Sequence, residues 1–338
     1  MSKLEISRKE NIFGDNLAYA SRLNFSRGNL NNKNRLEVIT TVASICYANP
    51  KAVGSESLYN RLLSESNSLP SSSFEFVPVL LEPKEVYAVC ENLGIEYFTN
   101  DLLIQGAMPT VDVNIIRFGQ WITHNDKKYL LTNFRAIVYD YEVSLANSLI
   151  TGKEVLDLRD KFNTEEECNI IESYYTVFKF YVDFPTRSQM VRHRVNLQEI
   201  SRRFVSVAKV GMNHYVSEKL GKVVSKFTLN ELKEVTGNDT EFGTDLINSI
   251  PGFLPEQKEI SLTTQLIIDI CMNHYFKAIE DGVKPQEARR IIPQTGYTEF
   301  YMGFLPFQLE NFLRLRADTH SQWEVQQAAY AVKELLGR

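Results

Sequence analysis

Arg187, Arg192, Arg194, Arg202 and Arg203 fall within the passage RSQMVRHRVNLQEISRR, in a chain whose net charge is −5. A guanidinium presents a planar fork of donors that matches phosphate and carboxylate bidentately. Gln189, His193, Glu199 and Ser201 lie in the same passage, so the segment suits a nucleotide phosphate. A solvated basic face would carry the same charges, and charge alone does not separate the two readings. Two further segments add cations beside polar groups. EARRIIP holds Arg289 and Arg290 just before Pro293, and RADTH sets Arg316, Asp318 and His320 in a short polar link between two helical patterns. A polar link between buried helices is a place for a ligand.

The elements that must position these residues are legible to different degrees. YYTVFKFYVDFP has the aromatic and β-branched content of a strand that Pro185 closes before the arginine passage. TQLIIDICMNHYFKAIEDG repeats apolar residues at three and four and reaches Gly282, a helix C-cap position. FQLENFLRLRADTHSQWEVQQAAYAVKELLG reads as one helix through Leu315 and a second from about His320, with Trp323, Ala328 or Ala329, Val332 and Leu336 as a core stripe. Helical spacing from Leu36 to Leu63 is broken at ANPKAVG; FEFVPVLL reads as a strand after the turn SNSLPSSS. VNIIRFGQWI and KYLLTNFRAIVYDYEV alternate around His124-Asn125-Asp126 and predict a hairpin. Residues 1–37 are polar with little periodicity and read as a surface arm or irregular lead-in.

Composition excludes several classes. With 338 residues and 43% hydrophobic content, the chain can bury one large core or two modest ones. It shows no run of about 18 apolar residues and no signal-peptide pattern at MSKLEISRKENIF, so a cytoplasmic protein without membrane contact is the default expectation. Cys46, Cys90, Cys168 and Cys271 have no metal-ligand spacing, and no metal site is expected. The acidic balance argues against a nucleic-acid coat. Absence of any Gly-x-Gly disfavours a dinucleotide or P-loop fold. His214 and His274, both in MNHY contexts, receive no role.

RHRVNLQEISRRF resembles the signature of the flavin-dependent thymidylate synthases, in which Arg-His-Arg is followed by a Ser and an Asn-Glu-x-Ser-x-Arg-Tyr run. LENFLRLRADTHSQWEVQQAAYA resembles that family's closing segment, and AIEDGVKPQEARRIIP the helix and Arg-x-x-x-Pro before it. TVASICYANP and SLPSSSFEF resemble earlier segments more distantly. The resemblance implies an α+β fold, an antiparallel sheet flanked by helices, with a catalytic domain over 38–338 that residues 77–171 interrupt as an inserted subdomain. It implies an NADPH-oxidising methyltransferase that converts dUMP to dTMP, with methylenetetrahydrofolate as carbon donor and reduced FAD as hydride source. A homotetramer with shared active sites is implied as well.

Carried over by position, Gln189, Arg192, Glu199, Ser201, Arg203, Arg289 and Arg316 match dUMP-binding residues. Arg316 faces the pyrimidine, and Ser201 is a phosphate or ring contact rather than a nucleophile. Ser72, Glu75, Arg192, His193, Arg194, Asn311 and His320 match flavin-contacting positions. None of the four cysteines follows a proline, as the nucleophile of the unrelated thymidylate synthase class does, so activation falls to polarisation of the ring by a guanidinium such as Arg316. The loop between Arg194 and Ser201 is one residue short of the usual motif. Gln198 stands for Asn, Phe204 for Tyr, and Pro70-Ser71-Ser72-Ser73-Phe74-Glu75 for His-x-Thr-Pro-Phe-Glu. These departures leave open a hydroxymethylating relative acting on a pyrimidine deoxynucleotide, or an inactive nucleotide-binding homologue.

Overall fold

The computed structural model describes residues 6–23, 32–64, 71–94, 113–228 and 259–338. Part of the turn read over SNSLPSSS, residues 66–70, lies outside them. The chain divides into two compact units, Met1–Val182 with Ser188–Ile200 and Glu299–Arg338, and Asp183–Arg187 with Ser201–Thr298.

The first unit is built on mixed helices and sheets, as the α+β reading expects. Its strands are β1 (Ile6–Asn11), β2 (Tyr19–Leu23), β3 (Pro78–Leu81), β4 (Gln120–His124), β5 (Lys127–Asn133), β6 (Thr176–Asp183) and β7 (Asn196–Glu199). A five-stranded sheet runs β1-β2-β6, then the strand Tyr297–Phe304, then β7; a three-stranded sheet runs β3-β5-β4. One face of the larger sheet is aromatic. Phe178 and Phe180, two residues apart on β6, meet Phe304 and Phe300 at centroid distances of 6.0 and 5.5 Å, and Phe304 meets Phe312 at 5.3 Å. All five rings are fully buried.

The main helices here are α1 (Asn32–Tyr47), α2 (Glu56–Ser64), α3 (Pro83–Asn92), α4 (Phe134–Thr151) and α5 (Glu165–Tyr174). The break at ANPKAVG is confirmed between α1 and α2. So is the hairpin from Gln120 onward, where Asn125 and Asp126 both take left-handed backbone angles, φ 48° and 61°, between β4 and β5; the first half of VNIIRFGQWI, read with the same alternation, is instead a helical turn over Asn114–Arg117. A two-residue connection such as Asn125-Asp126 favours Gly at its second position. Asp126→Gly is therefore expected to raise stability by about 0.5–1 kcal/mol in urea unfolding; no gain would show that the left-handed turn is not costing the chain anything.

Three further expectations are corrected. The segment 1–37 is not an irregular lead-in over 6–23: Asn11 and Asp15 side chains accept from the backbone N–H groups of Gly14, Leu17 and Ala18 at 2.9–3.0 Å. The polar residues are thus turn chemistry, and β2 pairs with β6 in register from Tyr19 with Tyr181 to Leu23 with Val177. The alternation read through KYLLTNFRAIVYDYEV ends at Asn133, whose side chain accepts from Ala136 N at 3.0 Å and starts α4. Beyond that cap, Phe134, Ile137 and Val138 are buried at helical spacing. Finally, FEF lies in a 3-10 turn, Ser72–Phe76, and only Pro78–Leu81 is a strand.

The second unit holds α6 (Thr264–Glu280), the antiparallel pair β8 (Val224–Thr228) and β9 (Glu259–Thr263), and the 3-10 turn Arg289–Ile291. Thr263 caps α6 by accepting from Leu266 N at 3.2 Å. Gly282, at φ 86°, follows its C-terminus, as the sequence indicates. Val207, Ile268, Met272, Tyr275, Ala288 and Ile292 form this unit's own apolar cluster.

β10 (Tyr297–Phe304) returns the chain to the first unit, followed by α7 (Pro306–Arg316) and α8 (Trp323–Leu336). On α8, Val325, Ala328, Ala329 and Val332 are buried at three-four-seven spacing. Trp323 is 49% exposed, which corrects its place in the core stripe. It lies about 200° around the helix from Val325. Among the described residues no helix is long and apolar enough to cross a membrane.

Candidate active site

Beyond β6 the chain turns through Phe184–Met190 and enters the Arg-His-Arg corner, which β7 ends by pairing with β10, Asn196 opposite Gly303 and Glu199 opposite Phe300. Gly303 is obligatory there. A Cβ at this position would overlap the Tyr175 hydroxyl and lie 3.3 Å from Asn196 Cβ. Asn196 Nδ2 donates to Tyr175 Oη at 3.0 Å and to the Glu75 carbonyl at 2.7 Å. The corner is therefore anchored at its C-terminal end by a close-packed crossing of strands.

The facing wall is α7. Pro306 opens it, the Gln308 side chain accepts from Leu305 N at 2.8 Å, and Leu309, Phe312 and Leu313 face inward at three-four spacing. The residue three beyond Leu313 is Arg316. Its Nε donates to His193 Nε2 at 2.8 Å, and its Nη2 donates to the Gln189 carbonyl at 2.9 Å. Phe312 meets the His193 ring edge-on at 5.2 Å, so the aromatic core continues directly into the site. Gln308 Nε2 donates to the Arg194 carbonyl at 2.8 Å.

The electrostatics follow from this geometry. Burial, and secondarily the Arg316 charge, push the His193 imidazole down to about 4. It is neutral at pH 7, and because Nε2 accepts from Arg316 its proton resides on Nδ1. Burial and the neighbouring Arg192 likewise pull the Arg316 guanidinium below its ordinary value. Two of the five donors of Arg316 are used by His193 and Gln189, which leaves about three for a ligand. Among the described residues no carboxylate pairs with Arg192, Arg194 or Arg316. Uncompensated guanidinium groups beside one another are unfavourable without an anion, so the arrangement is one that a phosphorylated ligand would complete.

A titration of the His193 ring by NMR is expected to have its midpoint near 4 rather than 6.5. The sign is fixed: the unfolded chain takes up this proton below pH 6.5 while the fold resists it down to about 4, so stability declines as pH falls through that window. An ordinary midpoint would contradict the Arg316–His193 bond.

The sequence-predicted residues distribute as follows. Gln189, Arg192, His193 and Arg316 are brought together, and Arg194 follows on the exposed side of the corner. Glu199 closes β7, with its carbonyl accepting from Cys46 Sγ at 3.0 Å. Ser72 and Glu75 stand on the 3-10 turn. Ser72 Oγ donates to Gln198 Oε1 at 2.7 Å, and Glu75 is ion-paired with Arg135. No hydrogen bond or ion pair links either to Arg192, His193 or Arg316 among the described residues. Asn311 Oδ1 accepts from Arg314 Nη2 at 2.9 Å on the exposed face of α7. His320 is 94% exposed and bonded to Asp318 at 2.7 Å. In the second unit, Ser201 Oγ accepts from Arg203 N at 3.3 Å, the Arg203 guanidinium lies over the Phe204 ring, and Arg289 is exposed at the start of its turn.

Sequence reasoning missed Gln308, Phe312 and Gln322. Gln322 Oε1 accepts from Gln189 Nε2 at 2.5 Å. Only its place inside the SQWE segment could have drawn notice to it.

Fold and site together define an α+β protein with an antiparallel sheet whose Arg-His-Arg corner is opposed by a helix-borne arginine, with no carboxylate paired to Arg192, Arg194 or Arg316 among the described residues. The family model described as thymidylate synthase complementing protein matches residues 122–338, and the chain belongs to that family. Flavin-dependent thymidylate synthases are among its similar proteins. That of Kosmotoga olearia is 30% identical over 165 residues, covering 48% of this chain and 63% of the relative. That of Pseudothermotoga lettingae is 30% identical over 203 residues, covering 56% and 79%. The chain thus spans less than two thirds of the Kosmotoga protein's length. A solved structure of a UMP/dUMP methylase, PolB from Streptomyces cacaoi bound with 5-Br UMP, matches at TM-score 0.32 and 16% identity, over 48% of this chain and 68% of that one.

Proposed function

We propose that this chain is a flavin-dependent thymidylate synthase that methylates dUMP to dTMP, taking its carbon from methylenetetrahydrofolate and oxidising NADPH. The observation that carries the reading is the contact of Arg316 with His193 and Gln189, beside Arg192 and without a carboxylate. It supplies directed positive charge where a nucleotide monophosphate and its ring need it.

The donor set also fits FAD. The pyrophosphate calls for cations that no acidic side chain has neutralised, and Arg192 and Arg194 meet that requirement. Residues that would hold FAD are Arg192, His193, Arg194, Asn311 and His320, with Ser72 and Glu75 contributed by the 3-10 turn. When bound and reduced, FAD supplies the hydride. The chain's own part is binding and polarisation. Gln189, Arg192 and Glu199 would contribute to dUMP binding from the first unit, and Ser201, Arg203 and Arg289 are the second unit's own candidates for dUMP contact. The free N–H groups of Arg316 would stabilise the negative charge that develops on a pyrimidine carbonyl oxygen when the ring is activated, a role that needs no cysteine adduct. His193, held neutral, would keep its Nδ1–H as a donor rather than adding a second full charge. Assembly into a homotetramer belongs to the same reading.

The test is product analysis. Purified protein given FAD, dUMP, methylenetetrahydrofolate and NADPH is expected to form dTMP, identified by mass. A hydroxymethylated nucleotide as product would replace the methylating assignment, and no consumption of dUMP would remove it.

A further inference from the structure

Gln189 is tied at both ends of the residue. Its carbonyl accepts from Arg316, and its side-chain Nε2 donates to Gln322 Oε1 at 2.5 Å; Gln322 Nε2 in turn donates to Glu324 Oε2 at 2.9 Å. Two glutamine amides facing each other are degenerate, because flipping both preserves the bond between them. A carboxylate removes the degeneracy. It offers acceptors and no N–H, so the Gln322 amide must turn its nitrogen to Glu324 and its oxygen to Gln189. Gln189 must then spend its nitrogen on Gln322. Glu324 is itself favourably placed in the first turn of α8, where the helix dipole attracts a negative group.

From this chain of bonds we infer that Glu324 and Gln322 are positioning residues that lock the polarity of Gln189. The lock leaves the Gln189 Oε1 acceptor, to which no described residue donates, for a hydrogen-bond donor of the nucleotide, on a residue whose backbone carbonyl holds Arg316. The guanidiniums and the Nδ1–H of His193 are donors. A ligand of acceptors alone would satisfy those and leave Oε1 unpaired. The ligand selected therefore carries an N–H or O–H within reach, either the imide N–H of a uracil ring or a sugar hydroxyl. The ligand half of this inference rests on the nucleotide reading; the lock itself does not.

The experiment has two arms on the full-length protein. In the first, NMR follows the side-chain amide of Gln189 without nucleotide. The wild type is expected to show one protected amide proton, which E324Q loses and which the Q322E/E324Q double variant regains, since that exchange moves the carboxylate next to Gln189. An unprotected amide in the wild type overturns the lock. In the second, calorimetry on FAD-loaded protein compares dUMP, N3-methyl-dUMP and 2′,3′-dideoxyuridine monophosphate. E324Q is expected to bind dUMP about twofold more weakly, because degenerate amides leave about half of the molecules with Oε1 presented, with recovery in the double variant. E324Q should leave unchanged the affinity for whichever analogue lacks the recognised donor, N3-methyl-dUMP for the imide or the dideoxy analogue for the sugar. Equal affinities of wild type and E324Q for all three ligands overturn the selection of a donor. No dUMP binding by a wild type whose Gln189 amide is protected refutes the nucleotide reading and the ligand named here, while the lock stands.

Discussion

Arg316→Ala is expected to lower dTMP formation by about 10²- to 10³-fold, the usual cost of removing one donor from a developing oxyanion. The fold should survive, because the side chain is partly exposed at the last turn of α7 and no core residue leans on it alone. Bound FAD should persist in part, held by the remaining contacts. A second readout is independent of turnover. Arg316 is one of the two causes that depress the His193 imidazole, so the variant's imidazole should titrate closer to pH 6.5. Near-normal dTMP formation by the variant would refute the polarising role. An unchanged His193 titration would contradict the contact itself.

The largest stability effect is expected at Gly303. Adding a methyl group there drives it into the Tyr175 hydroxyl, with Tyr175 Cζ 3.1 Å and Asn196 Cβ 3.3 Å away. Tyr175 is buried and cannot swing clear. Overpacking of a filled core costs about 1–3 kcal/mol, and losing the Asn196–Tyr175 hydrogen bond adds about 1 kcal/mol. Gly303→Ala should therefore destabilise by about 2–4 kcal/mol in urea unfolding, a sizeable part of the 5–15 kcal/mol that typically holds a domain. Because Asn196 lies two residues beyond Arg194, ligand affinity should fall as well. Adding Tyr175→Phe removes the clashing oxygen and should recover part of the loss. A Gly303→Ala protein as stable as the wild type would mean that β7 and β10 do not cross as closely as described.

What could be read from the sequence was local. Gly282 follows its helix at a left-handed angle, and the Asn125-Asp126 turn adopts such angles, because those backbone states demand particular residues wherever they occur. The Arg-His-Arg and Arg316 segments stood out because uncompensated charge is costly unless it is solvated or used. Trp323 was misassigned because hydrophobicity was weighed over helical phase: the buried stripe starts at Val325. The strand read across Asn133 failed for a related reason, since alternation continued past a residue whose side chain caps a helix. The β1–β2 hairpin was hidden by polar residues that serve its turn.

The site's finer properties could not have been read locally. The Arg316–His193 bond joins residues 123 apart in sequence, and the Gln189–Gln322 bond residues 133 apart. The neutral state of His193 depends on burial against Phe312 and on Arg316 together, neither of which is a neighbour in the chain. A resemblance of motifs can nominate such residues, but tautomers and amide polarity are set by partners that folding brings in.

The most direct measurement is a crystal structure of the FAD-loaded protein with dUMP. The expected density sets the uracil carbonyl within hydrogen-bond distance of the Arg316 guanidinium, with the phosphate on Arg192. Density showing dUMP away from both arginines, or those arginines directed to separate surfaces in the assembly, would contradict the assignment of this corner as the catalytic site.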